Sequence, residues 1–311
     1  MATTTATAPR VAEAEWRRPA RSLWGDAWHH FRRHRLAMAG VIVLGIIVVA
    51  TLLGPILWPI PYQKLDPAEG LLGPSPAHPF GTTDLGHDLF ARILWGGRIS
   101  LAVGLTAVII AISLGTLVGA LSGFFGGTLD NLLMRLTDMF LSLPQLPLLL
   151  LTIYLFRDLL RELVGPELGI FLLIVTVVGA LTWMPTARLV RASFLSIKQK
   201  EFVEAARTVG ATDRRIIVRH ILPNTMSPVL VSATIGVGAA IITESALSFL
   251  GLGFPSDVPS WGRVLYDAQN FMEIAPHWAI FPGLFIFLTV LSINYMGDGL
   301  RDALDPRRTQ R

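Results

Sequence analysis

The sequence predicts an all-α polytopic membrane protein with six transmembrane helices and both termini in the cytoplasm. Three observations carry that expectation. Only 15% of the 311 residues are charged, against about 25% in a soluble domain. The apolar residues gather in runs long enough to cross a bilayer, about 20 residues each. The basic residues cluster, with seven Lys/Arg in residues 1–35, eight in 188–219 and four in 301–311. Six crossings put all three clusters on one side, as the positive-inside rule requires. The charge therefore reads as topology, and no nucleic-acid partner is expected.

Taken in order, residues 1–15 are small and polar and are expected to be disordered. Trp16 to Arg35 mixes arginines with Trp16, Trp24, Trp28 and Phe31, which suits an interfacial helix or a plain topology signal. The first apolar run starts only at Leu36, which does not read as a cleaved signal peptide. Span one is Leu36–Leu57, without a charge. A proline-rich outer segment follows and continues as HPFGTTDLGHDLFARILWGGRISL from His78 to Leu101. Within it, Leu85, Leu89, Trp95 and Ile99 are expected on one face of a short surface helix.

Span two, Ile99–Leu129, has Gly115, Gly119 and Gly123 at every fourth position, a seam that lets another helix approach closely. Arg135 and Asp138 precede span three at a spacing that suits a local ion pair. Span three is Met139–Phe156, where Pro144 and Pro147 are expected to break or kink the helix. Span four is Leu168–Ala187. Span five, about Ser227 to Gly253, is interrupted only by Glu244, and span six is Trp278–Gly297. The organisation is a tail (1–35), a first helix with its outer loop (36–98), a five-helix core (99–298) holding a charged loop at 188–223, and a second tail (299–311).

The loop contains EFVEAARTVGATDRRIIVRHILP, Glu201 to Pro223. Phe202, Ala205, Ala206 and Val209 are spaced i, i+3, i+4, i+7, the stripe of an amphipathic helix, with Glu201, Glu204 and Arg207 on its other faces. Gly210 is expected to end that helix. Thr212 or Asp213 is expected to cap a second one, carrying Arg214, Arg215 and Arg219 toward Pro223. Two placements are open: insertion in a groove of another protein, or lying flat on lipid headgroups. Alanines make a poor membrane-inserting face, which favours the protein partner.

Glu204, Ala205, Ala206, Gly210, Leu222 and Pro223 match the pattern Glu-Ala-Ala, three residues, Gly, nine residues, Ile-x-Leu-Pro, with His220 at the isoleucine position. The stretch resembles the EAA loop of binding-protein-dependent ABC importer permeases. HPFGTTDLGHDLFARILWGGRISL, ESALSFLGLG, PSWG (Pro259–Gly262) and FPGLFIFLTVLSINYMGDGLRDALDPR are similar to the C-type permease subunit of dipeptide and oligopeptide importers. That resemblance runs from about Trp24 to Arg308. It implies the type I ABC importer permease fold in a bacterial or archaeal cytoplasmic membrane. It implies as partners a second, different permease subunit, one or two ATPase subunits that bind the ATP and Mg, and an extracytoplasmic substrate-binding protein. It implies that the loop is a coupling helix in the ATPase groove, with Glu204 a polar contact, Ala205 and Ala206 allowing close packing and Gly210 setting the turn. Nickel and glutathione permeases share the subfamily.

The rest of the sequence weighs the alternatives. There is no cysteine, hence neither disulfide nor thiolate metal site. No G-x-x-x-x-G-K occurs, and the only lysines are Lys64, Lys198 and Lys200, so no ATP-binding cofactor role is expected of this chain. An ion-coupled secondary transporter is the second hypothesis; it predicts intramembrane charge and often an inverted repeat, and no repeat is found. Glu244 either faces the solute pathway, where it would meet a peptide's amino end, or is a buried structural group. One acid is thin support for a proton relay, which favours the structural reading. An enzyme is the third hypothesis, and none of the seven histidines has H-E-x-x-H spacing; His30 and His34 sit i, i+4 in the basic tail without a nearby acid.

Overall fold

A computed structural model describes residues 23–304 as helices joined by turns, with a single β-bridge, Thr82–Asp88, and no strand among them. Residues 1–22, which include the expected disordered tail and Trp16, lie outside the described residues, as do 305–311.

Helix α1 (Leu23–Arg33) buries Ala27 and Phe31 and exposes Trp28. His34 ends it and caps α2 (Arg35–Leu57), its Nδ1 accepting the Ala37 N–H at 3.1 Å. The start of α2 packs on the end of the last helix, α11 (His277–Leu304), because Gly40 lies against the Ser292 carbonyl and Gly299 against Ala37 and Phe31. Pro55 has no N–H to give the Thr51 carbonyl one turn back. Arg98 supplies the donor instead, Nε to Thr51 O at 2.9 Å.

No separate surface helix precedes span two. Asp88 caps α3 (Leu89–Phe125) by accepting the Ala91 N–H at 2.7 Å, and its other oxygen meets His78 Nδ1 at 2.7 Å. Nothing breaks the helix until Gly126 at φ 68°. Leu89, Trp95 and Ile99 therefore belong to α3 itself, and Leu85 lies in the turn before it. At 1.5 Å per residue α3 is about 55 Å long, so its first turns stand clear of a hydrocarbon layer of about 30 Å.

The glycine seam of α3 faces α7 (Met184–Ile197). A Cβ at Gly119 would stand 2.4 Å from the Ala187 carbonyl, and one at Gly123 2.7 Å from the Phe194 Cβ. Gly119→Val must push the two helices apart. By the standards of overpacked cores it costs about 2–3 kcal/mol, lowering the unfolding temperature of the detergent-solubilised protein by roughly 5–10 °C. A thermal shift below about 2 °C would show that the seam is looser than these distances imply.

Spans three and four are bent. Pro144 ends α4 (Gly127–Ser142), holding Leu143 extended, and the chain restarts as α5 (Gln145–Val164) at 87°. Pro147 is tolerated inside the first turn of α5. α6 (Pro166–Ala180) stops at Leu181, and α7 restarts at 43° with Pro185 in its first turn. Among the described residues, four helices are individually long and apolar enough to span, and the two bent pairs bring the number to six. Asp138 does not pair with Arg135. Its carboxylate is taken by Arg188 of α7, while Arg191 holds Asp130 with two bonds of 2.6 Å. Only the Asp130–Arg191 pair is bidentate, the stronger geometry, and both pairs tie α4 to α7.

α9 (Asp213–Phe249) and α10 (Trp261–Ala268) complete the fold. α9 lies against α3, with Gly104 on Ile241. α10 sits at the end of the bundle where α3 begins, and there Arg263 bridges Asp267 at 2.8 Å. Burial pushes the Asp267 carboxyl above its usual range, against the pull of Arg263 and Arg92. α11 continues to Leu304, so residues 299–304 of the expected tail are helix.

A candidate partner-docking surface

The helix predicted from the EFVEAART pattern exists as α8 (Glu201–Thr208). Its inner side is Val203 and Ala206, which pack into one cluster with Phe124 at the end of α3, Phe194 at the end of α7, and Ile216 and Ile221 at the start of α9. Lys198 donates its Nζ to the Phe124 carbonyl, and the Arg207 guanidinium stands 5.9 Å over the Phe124 ring. Three long helices thus end on the underside of one short one.

The outer side is open. Phe202 is 44% exposed and Val209 85%, and Ala205 is exposed between them, flanked by the exposed Glu201 and Glu204. The four-residue stripe expected from the sequence therefore divides. At 3.6 residues per turn, Ala205, Val209 and Phe202 share one arc, while Ala206 sits at its edge and rolls inward beside Val203. Val203 was absent from the predicted stripe. Its signal was the i, i+3 pairing with Ala206, a second stripe hidden by the first.

Gly210 ends α8 at φ 81°. Its N–H bonds the Arg207 carbonyl at 2.9 Å, and the Ala211 N–H bonds the Ala206 carbonyl at 3.0 Å. This is the paired-bond cap in which glycine takes the left-handed position. A Cβ there would meet nothing within 4 Å, so the backbone angle alone demands glycine.

The second short helix of the loop does not stand apart. Thr212 precedes it without a side-chain cap bond, and the segment from Asp213 runs straight into α9. Arg214, Arg215 and Arg219 lie exposed on this extension. Ile216–Ile221 is wound wider than an α-helix, the Leu222 N–H reaching five residues back to Ile217. The wide turn accommodates Pro223, which has no N–H and whose ring would crowd the carbonyl one turn back. Pro223 is exposed and Leu222 half-buried. The His220 carbonyl accepts a bond from Asn224 Nδ2 at 2.6 Å, leaving its imidazole outside that contact. Gly210 thus sets the turn that joins α8 to the start of α9.

Glu244 is in a different place and has a different role. It is fully enclosed in α9 and accepts bonds from Ser248 at 2.8 Å, Ser260 at 2.7 Å and Ser100 at 3.1 Å. Ser100 in turn accepts the Trp261 N–H at 3.2 Å, and Trp261 Nε1 donates to the Ile93 carbonyl at 3.0 Å. The carboxylate stitches α3, α9 and the Pro259–Gly262 segment together. With its side chain enclosed and three serines on its oxygens, Glu244 takes the structural place that the sequence favoured over one on the pathway.

The family described as binding-protein-dependent transport system inner membrane component matches residues 115–310, and the N-terminal transmembrane domain of oligopeptide transport permease C matches residues 22–74. The dipeptide transport system permease protein DppC of Alkalihalophilus pseudofirmus is 38% identical over 286 residues, covering 92% of this chain and 90% of that protein. The oligopeptide transport system permease protein OppC of Haemophilus influenzae is 41% identical, covering 92% and 89%. The glutathione transport system permease protein GsiD of Pectobacterium atrosepticum is 39% identical, covering 97% and 96%. Among solved structures, an inward-facing MetNI methionine ABC transporter shares the fold at a TM-score of 0.53 and 20% identity, over 68% of this chain and 96% of that one.

Proposed function

Since the chain belongs to the family of binding-protein-dependent transport system inner membrane components, we propose that it is the permease subunit of an ATP-driven importer of dipeptides and oligopeptides, moved by a separate ATPase that grips α8. The observation that carries the coupling is the two-sided build of α8. An exposed arc of Phe202, Ala205 and Val209 faces out, while Val203 and Ala206 fix the same helix to the ends of α3, α7 and α9. A displacement of α8 is passed to three spans at once. Its small, apolar, acid-flanked arc suits a groove on a protein.

In this reading the α8 end of the bundle and both termini lie in the cytoplasm of a bacterium, and the Ser75–Asp88 segment and α10 face the binding protein outside. A second permease completes the pathway, and ATP and Mg stay with the ATPase. Glutathione is the second solute to assay, because the GsiD relative covers 97% of this chain at 39% identity.

The test is uptake of labelled dipeptide by cells carrying the whole importer. Glu204→Lys reverses a charge at the rim of the exposed arc and touches none of the buried cluster. Uptake is expected to fall at least tenfold, as for truncation of a contact of about 1.4 kcal/mol or more. The amount of the variant in the membrane should match wild type. Normal uptake by this variant would remove Glu204 from the coupling contact.

A further inference from the structure

Both helix breaks open on one cavity. It measures about 350 Å³ and is lined by Leu141 and Gln145 across the α4–α5 break, by Leu181, Thr182, Met184 and Thr186 across the α6–α7 break, and by Ser232 and Thr243 of α9. Irregular backbone at membrane depth persists only where it is buried in protein or lines a wet cavity. Both breaks share this one cavity, which uncharged polar side chains also line. A larger groove of about 880 Å³ among α2, α3, α9 and α11 is almost wholly apolar and touches no break, which fits lipid.

The polar groups of the cavity are of one kind. The Gln145 amide has no hydrogen-bond partner among the described residues and is exposed. Thr182 and Thr243 bond the Val178 and Ala239 carbonyls of their own helices, which leaves their oxygens free to accept. Thr186 and Ser232 meet at 3.2 Å and tie α7 to α9. Donors and acceptors are both present, and no lining residue is ionisable. A second cavity shares Pro185, Ser232 and Ile235 with the first and continues toward Arg301 and Leu304. The pair forms a stepped track from mid-membrane to the α8 end of the bundle.

On the reading of the chain as a peptide permease, we infer that this cavity is its share of the solute pathway, with Gln145, Thr182, Thr186, Ser232 and Thr243 contacting the uncharged amide groups of a peptide backbone. Charged peptide ends find no ionised partner in this cavity; along the track Arg301 of the second cavity is the charged group this chain offers. A metal cation finds no charged ligand in the first cavity either.

The chain's lack of cysteine makes the test direct. Gln145→Cys and Ser232→Cys are made singly in the complete importer and treated with a membrane-impermeant sulfonated maleimide. Label is scored on this chain alone, with and without tri-alanine delivered by the loaded binding protein. Tri-alanine uptake by the wild-type complex is measured alongside. Both cysteines should label, and solute at about ten times its half-saturating concentration should slow labelling roughly tenfold by mass action. Leu105→Cys in the apolar groove should not label. If neither cavity cysteine labels, lipid or a partner helix fills the cavity and the inference fails. Labelling without protection, in a complex that does transport tri-alanine, makes it a water pocket and equally sinks the inference. A wild-type complex that does not transport tri-alanine overturns the peptide reading itself, and the ligand class named here falls with it.

Discussion

Gly210→Pro is expected to abolish uptake while the chain still inserts and accumulates at the wild-type level. The glycine sits at φ 81°, and proline is confined near −65°. The substitution also deletes the N–H that bonds the Arg207 carbonyl and redirects the chain so that the Ala211 N–H leaves the Ala206 carbonyl. A proline forced into an incompatible site costs about 3 kcal/mol or more, so the seated form of α8 should become at least roughly a hundredfold rarer. Nothing within 4 Å of that position belongs to the packed spans, so insertion is spared. Gly210→Ala gives the graded control. A left-handed alanine costs about 1–2 kcal/mol, and uptake should fall roughly 5- to 30-fold if transport follows seating. Equal activity of the alanine and proline variants would mean that the turn does not govern seating.

Glu244→Ala is expected to do the reverse, removing the protein rather than its coupling. Three serine hydroxyls lose their acceptor in a fully enclosed site, and a void replaces the side chain. Unsatisfied buried hydroxyls cost about 1–3 kcal/mol each at most, and the void adds to that, so a loss on the order of 4 kcal/mol is reasonable. That should lower the unfolding temperature of the solubilised protein by more than about 8 °C and reduce its amount in the membrane. Glu244→Gln keeps an acceptor and the shape, and should retain most of the stability. If Glu244→Ala is stable but changes which solutes are transported, the carboxylate faces the pathway after all.

The spans were legible because a run of about 20 uncharged residues has few other stable homes. The glycine seam was legible as close packing, and the structure added only its partner, α7. Less could be read where geometry depends on distant residues. Asp138 pairs with Arg188, fifty residues on, and no local spacing announces that. The capping role of Asp88 and the continuity of α3 were hidden by the polar HPFGTTDLGHD stretch, which reads as loop and helix at once. The α8 stripe was read correctly as amphipathic. Its two-sidedness was not, because Val203 and Ala206 find their apolar cover on three other helices. Glu244 was ambiguous in sequence because its three partners lie as far as 144 positions away.

The central claim is that the exposed arc of α8 lies against an ATPase. Photo-crosslinking measures it most directly: a benzophenone-bearing phenylalanine replaces Ala205, or Val209, in the complete importer, with Leu105 as the lipid-facing control. Irradiation should join this chain to an ATPase subunit from positions 205 and 209 and leave position 105 free of that adduct. Adducts only to lipid from positions 205 and 209, in a complex that still transports, would place α8 on the membrane surface and contradict the account.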